Sequence, residues 1–235
     1  MRVQVSKFLD AARDGNFSDV KRYLDEGVHA DSQDWKGTTA LIKASYGGHR
    51  AVCELLITRG CNVDMKNGKG NTALMWASTW GHKAVCELLI TRKCNVDMQN
   101  KNGWTALICA SDRGHDAVCE LLINGGCNVD MRNKDGWTAM MYASRYGHEA
   151  VCELLITRGC NVDMQNKDGH TALILASANG KIPIVISLIE AGCDQSLRDN
   201  EGKSAMDHLR EKYPDKVKEV QVSRSPTAVV THSLI

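Results

Sequence analysis

The sequence predicts an all-α repeat protein, a solenoid of stacked helix-turn-helix units with projecting hairpin-like loops. Three observations carry that expectation. The fourteen residues "VCELLITRGCNVDM" begin at Val52 and again at Val151, with close variants from Val85 and Val118. A hydroxyl residue recurs every 33 positions, as Ser6, Thr39, Thr72, Thr105, Thr138, Thr171 and Ser204. Glycines keep step with it: Gly37 to Gly202 two positions before it, and Gly15 to Gly180 nine positions after it. A fixed period of this length marks one supersecondary unit copied along a chain.

Each unit reads as two short helices and a loop. "TALIKASY" opens at Thr39, whose hydroxyl can satisfy a free amide of the first turn, and closes at Gly47-Gly48, where glycine permits a tight turn. "RAVCELLIT" from Arg50 puts Val52, Leu55 and Leu56 on one face, flanked by Cys53 and Ile57. Gly60 supplies the left-handed residue that stops the helix, and the polar "NVDMKNGKG" suits a projecting loop. Helices of about eight residues cannot bury an apolar face alone, so stability must come from stacked neighbours. Pro183 falls in the opening turn of a helix, where proline is tolerated. Lys93 stands where the other units place a glycine, and a side chain there is expected to carry backbone strain.

Composition narrows the function. The 235 residues carry a net charge of +1, with 43% apolar and 5% aromatic residues, which gives no basic stripe of the kind a nucleic-acid binder shows. No apolar run approaches the roughly 18 residues of a membrane span. The amino terminus lacks an apolar signal region, so a cytoplasmic location is expected, with the nucleus as the alternative. Ten cysteines in a reducing compartment raise the question of metal or redox chemistry, but no CxxC occurs. Cys53, Cys86, Cys119 and Cys152 form one series spaced by 33, and Cys61, Cys94, Cys127, Cys160 and Cys193 another. That interval gives each thiol the same place in successive units, as a small buried apolar residue. Cys109 lies outside both series and reads as a helix residue. Neither a metal nor any other cofactor is expected.

The period, the glycine-x-threonine opening, the "GH" between helices and the "LL-x-x-x-G" end resemble the ankyrin repeat over about residues 5 to 221. The domain then comprises a cap repeat, five near-identical internal repeats and a carboxyl-terminal cap, followed by a flexible tail over 222–235. The family's T-P-L-H opening is replaced by T-A-L-I at Thr39, Thr105 and Thr171, by T-A-L-M at Thr72 and by T-A-M-M at Thr138. The threonine–histidine bond of that motif is therefore not expected here. The resemblance implies a non-enzymatic scaffold or adaptor that binds a protein partner, as a monomer, through loop tips and the concave side of the first helices. The alternative is a regulator that occupies a partner enzyme's active or interaction site.

Where near-identical copies differ, specificity should reside. The variable positions nominate Tyr46, Trp80, Trp104, Asp112, Arg113, Trp137, Arg145, Tyr146 and His170 as protein-binding residues, a set rich in hot-spot types. Trp76 and Tyr142, one helical position apart from these, are expected to be packed. His49, His82, His115 and His148 repeat in one turn and read as residues bonded to nearby backbone, and no nucleophile, base and orienting group stand together for catalysis. Ser233, Leu234 and Ile235 resemble the carboxyl-terminal ligand of a PDZ domain, which makes a PDZ-domain protein a second expected partner.

Overall fold

The structure is a computed structural model that describes residues 2–222. Val222, expected to open the tail, ends the last described helix, and residues 223–235 with the Ser233-Leu234-Ile235 end lie outside the described residues. The chain divides into two compact units, Met1–Lys134 and Asp135–Ile235.

In the first unit the helices are α1 (Arg2–Arg13), α2 (Phe17–Asp25), α3 (Ala40–Tyr46), α4 (Arg50–Thr58), α5 (Ala73–Thr79), α6 (Lys83–Thr91), α7 (Ala106–Arg113) and α8 (Asp116–Asn124). The first helix thus begins ahead of residue 5, where the repeat domain was expected to open. Odd-numbered helices pack on one another in an inner row, and α2, α4, α6 and α8 form the outer row. The second unit repeats the scheme with α9 (Ala139–Tyr146), α10 (Glu149–Thr157), α11 (Ala172–Ala178), α12 (Ile182–Glu190), α13 (Ala205–Lys212), a 3-10 turn (Pro214–Lys216) and α14 (Val217–Val222). Among the described residues there is no strand. Two isolated bridges, Gln33 with Thr39 and Arg198 with Ser204, give the loops their hairpin-like form.

The threonine of each internal repeat caps its inner helix, as when Thr105 Oγ1 accepts the Ile108 amide at 3.2 Å. Loops are stitched by backbone bonds between repeats: Gly68 donates to the Lys36 carbonyl, Lys101 to Lys69 and Lys134 to Asn102. Gly103 shows why that stitching needs glycine. At φ +80° an added Cβ would lie 2.7 Å from the Lys134 nitrogen.

The turn histidines reach farther than their expected local backbone. Nε2 of His49 lies 2.8 Å from the Arg13 carbonyl, that of His82 3.0 Å from Tyr46, and that of His115 3.2 Å from Thr79. A carbonyl only accepts, so each Nε2 carries the proton. Each histidine thus finishes the inner helix of the repeat before its own.

In the outer helices Val52, Cys53 and Leu56 are buried, while Leu55 is only half-buried. The cysteine therefore takes the more central place that Leu55 was expected to share. All ten thiols are free and buried. The outer-helix series has a polar role as well, because its sulfurs lie 3.5–3.7 Å from Ser45, Ser78, Ser111 and Ser144. These hydroxyls are otherwise enclosed in the core, where an unmet donor costs about 1–3 kcal/mol. The next repeat supplies the contrast: Val185 replaces the cysteine, and Ser177 Oγ is buried without a partner.

Among the described residues Lys93 is the one positive-φ residue other than glycine, at φ 59°. Its counterparts Gly60 and Gly126 have nothing within 4 Å of an added Cβ, so the penalty at Lys93 is backbone strain rather than a clash. Lys93→Gly should remove about 1 kcal/mol of strain, partly offset by the freer unfolded chain, and raise the thermal midpoint by at most a few degrees. A lower midpoint in thermal denaturation would refute the reading.

Candidate functional site

In the first unit, the inner helices and the loops beside them enclose a cleft of about 510 Å³. Ile42, Tyr46 and Trp76 form its apolar floor, and Arg13, Lys36, Lys43 and Lys69 surround it. No acidic residue lines it. Tyr46, at the end of α3, packs edge-on against Trp76 of α5 at 5.3 Å and against Trp80, just past the end of α5, at 5.3 Å. Edge-to-face pairs of this kind add about 0.5–1.5 kcal/mol beyond area burial and so fix the rings. Tyr46 and Trp80 are each nearly half exposed.

The charges of this cleft are unequally committed. Arg13 pairs with Asp10 at 3.1 Å and Asp14 at 2.9 Å. Lys43 lies 3.3 Å from Asp34. Burial pushes the Asp34 carboxyl up, but the Thr38 and Lys36 amides and the Lys43 ammonium outweigh it and hold the group below its ordinary value. The Lys36 ammonium sits 4.5 Å over the Trp35 ring. Trp35 is 89% exposed at the tip of its loop, and it lines an adjoining cleft of about 640 Å³ with Val5, Leu9 and the shared Lys43.

The other nominated residues of this unit stand elsewhere. Trp104 is half-buried, its amide held by Asn100 Oδ1 at 3.0 Å, and Asp112 pairs with Arg113 at 3.2 Å. All three lie outside both clefts. Trp76, expected to be packed, is half-buried and lines the first cleft.

The second unit has its own arrangement. Trp137 stacks on Tyr142 at 4.9 Å, so Tyr142 supports a surface ring and is itself only half-buried. The Arg145 guanidinium lies 5.3 Å from the Trp137 ring and 5.5 Å from that of Tyr146, within cation–π range of both. Trp137, Arg145 and His170 share a cleft of about 490 Å³ with Lys203 and His208, while Tyr146 lies outside its lining.

No helix among the described residues is long and apolar enough to cross a membrane. Burial drives the Cys53 and Cys119 thiols up to about 11 and the Cys86, Cys109 and Cys152 thiols up to about 12. Such thiols are poor nucleophiles at neutral pH.

Comparison with known proteins bears on both units. A model of ankyrin repeats in three copies matches residues 8–100 and 84–166, and one of ankyrin repeats in many copies matches residues 155–209. The crystal structure of the human ASB11 ankyrin repeat domain is similar with a TM-score of 0.83, covering 93% of this chain and 98% of that one. At 23% identity that likeness speaks for the fold alone. No curated protein matches the sequence. Since the family models together cover well over half of its residues, the chain belongs to the ankyrin-repeat family.

Proposed function

We propose that this chain is a non-enzymatic protein-binding scaffold whose first unit holds an acidic, apolar segment of a partner protein. Ankyrin repeats are, as a class, protein-interaction modules and generally not enzymes. The finer reading rests on one observation, the cleft floored by Ile42, Tyr46 and Trp76 beneath four cations with no acidic residue in its lining. Arg13 and Lys43 are already paired with carboxylates beside the lining, so Lys36 and Lys69 supply the charge offered to a partner. Rim charges of this kind steer and orient a partner, while desolvated aromatic rings supply most of the affinity.

The test uses the full chain and an array of short peptides that vary acidic and aromatic content. Acidic peptides with an aromatic or leucine anchor should bind, more weakly as salt rises. Lys36→Glu with Lys69→Glu should lower that affinity by about tenfold and flatten its salt dependence, with the melting curve unchanged. Equal binding of basic peptides, or indifference to the double reversal, would remove the proposal. An adaptor and a regulator of a partner enzyme would use the same surface, and assaying the captured partner's activity separates them.

A further inference from the structure

We propose that His170, Asp199 and His208 form a binding site for one divalent transition-metal ion of the zinc class. All three belong to the second unit. His170 immediately precedes the Thr171 cap of α11, Asp199 lies in the loop between α12 and α13, and His208 is on α13. Their donor atoms all lie within 4.8 Å of one another. Asp199 Oδ2 is 2.6 Å from His208 Nε2 and 3.7 Å from His170 Nε2. Around a tetrahedral ion with bonds of about 2.0–2.1 Å, donor atoms stand roughly 3.3 Å apart. The 3.7 Å separation is close to that, the 2.6 Å one has to open by less than about 1 Å, and the two rings, within 4.8 Å of each other, have to be drawn to the same spacing.

The carboxylate is held ready. Its Oδ1 accepts the Glu201 amide at 3.0 Å and the Lys203 amide at 2.9 Å, which leaves Oδ2 to face both rings. Outer bonds of this type orient a metal ligand.

The repeat supplies internal controls. The register of Asp199 holds Asp34, Asn67, Asn100, Asn133 and Asn166 in the other units, and nine residues later come Lys43, Trp76, Cys109, Tyr142 and Leu175. At the other aspartate, Asp34 meets a lysine at 3.3 Å, which completes a one-to-one ion pair and offers no ligand. Here the counterpart is an imidazole, and a second imidazole arrives where preceding units carry Thr38, Asn71, Trp104 and Trp137. Two rings converging on one oxygen exceed what a single ion pair needs. The Nδ1 atoms of both rings are buried without a protein partner, so rings that ligate through Nε2 need water at Nδ1 to complete their outer bonds.

Two imidazoles and a carboxylate suit zinc, cobalt or nickel, whereas magnesium and calcium prefer all-oxygen cages. Arg145 and Lys212 line the same cleft and oppose a cation, but Lys203 is neutralised by Glu211 at 2.7 Å, and Asp168 and Glu201 also face the cleft. A bound ion would tie the loop before α11 to the inner helix of the last repeat and so stiffen the terminal cap.

The test is titration of the full-length protein with Co²⁺ as a visible probe, and with Zn²⁺ in thermal melts. One equivalent of Co²⁺ should produce the d–d absorption of a four-coordinate site without a thiolate charge-transfer band, and Zn²⁺ should raise the melting midpoint. His170→Gln removes one ligand but keeps the Asp199–His208 pair, so it should weaken Co²⁺ binding at least tenfold while the metal-free midpoint stays unchanged. Asp199→Asn should also weaken it, with folding checked by circular dichroism. Absence of binding at millimolar Co²⁺, a thiolate band, or undiminished affinity in His170→Gln would each overturn the site.

Discussion

Raising the pH should open this fold abruptly, at about pH 10, over a narrow interval. An exposed thiol ionises near pH 8.5. Burial pushes the thiols of Cys53 and Cys119 up to about 11, and those of Cys61, Cys86, Cys94, Cys109, Cys127 and Cys152 up to about 12. These are acids whose folded values are raised, so their stabilisation is complete below the unfolded value. Above it the unfolded chain loses protons that the folded chain keeps, and stability falls until the pH passes the folded values. Each thiol removes about 1.4 kcal/mol per pH unit in that window, so eight together remove roughly 11 kcal/mol per unit. A typical domain has only about 5–15 kcal/mol to lose. Circular dichroism against pH should therefore show a steep transition that releases many protons. Replacing Cys53, Cys86, Cys119 and Cys152 by valine, the residue the fold already places at 185, should cut the steepness by about half. A shallow transition, or rapid thiol labelling of the folded protein at neutral pH, would contradict the buried series.

The second large effect is expected in binding rather than stability. Tyr46→Ala combined with Trp76→Ala strips two rings from the floor of the first cleft, and each is of a type whose truncation at a hot spot costs about 2 kcal/mol or more. An acidic peptide held there should lose roughly 30- to 1000-fold in affinity, seen by calorimetry. Trp104→Ala is the control, since that ring lies outside both clefts of its unit. Equal losses in control and double variant would place the interface elsewhere or implicate the stack itself.

How much of this was legible depends on what repetition exposes. The helix pairs, the threonine caps and the strain at Lys93 were legible because each depends on local chemistry that recurs every 33 residues. The groove was legible only in part. Tyr46 stands out as a difference between copies, and so does Trp80, which packs on Tyr46 but lies outside the cleft lining; Trp76 reads as a packed helix residue because its sequence position does not say which neighbour leaves it uncovered. Trp35 was missed although a signal existed: its register holds Gly68, Lys101, Lys134, Lys167 and Asn200 in the other units, so a tryptophan there is an outlier. The His170–Asp199–His208 cluster was hidden for another reason. It is assembled across two repeats, and comparison of one column at a time cannot reveal three columns meeting.

The histidine clasps of the first unit bear on how the protein is made. The carbonyls of Arg13, Tyr46 and Thr79 are met by rings that lie 36 residues later in the chain. A nascent chain therefore always carries one inner helix whose end is still open, and that end closes only when the next repeat has left the ribosome. At 5–20 residues per second the lag is roughly 2–7 s per repeat. Assembly should thus advance one repeat behind synthesis, from the amino terminus, with the unfinished helix end as the place where a chaperone or a wrong neighbour could intervene.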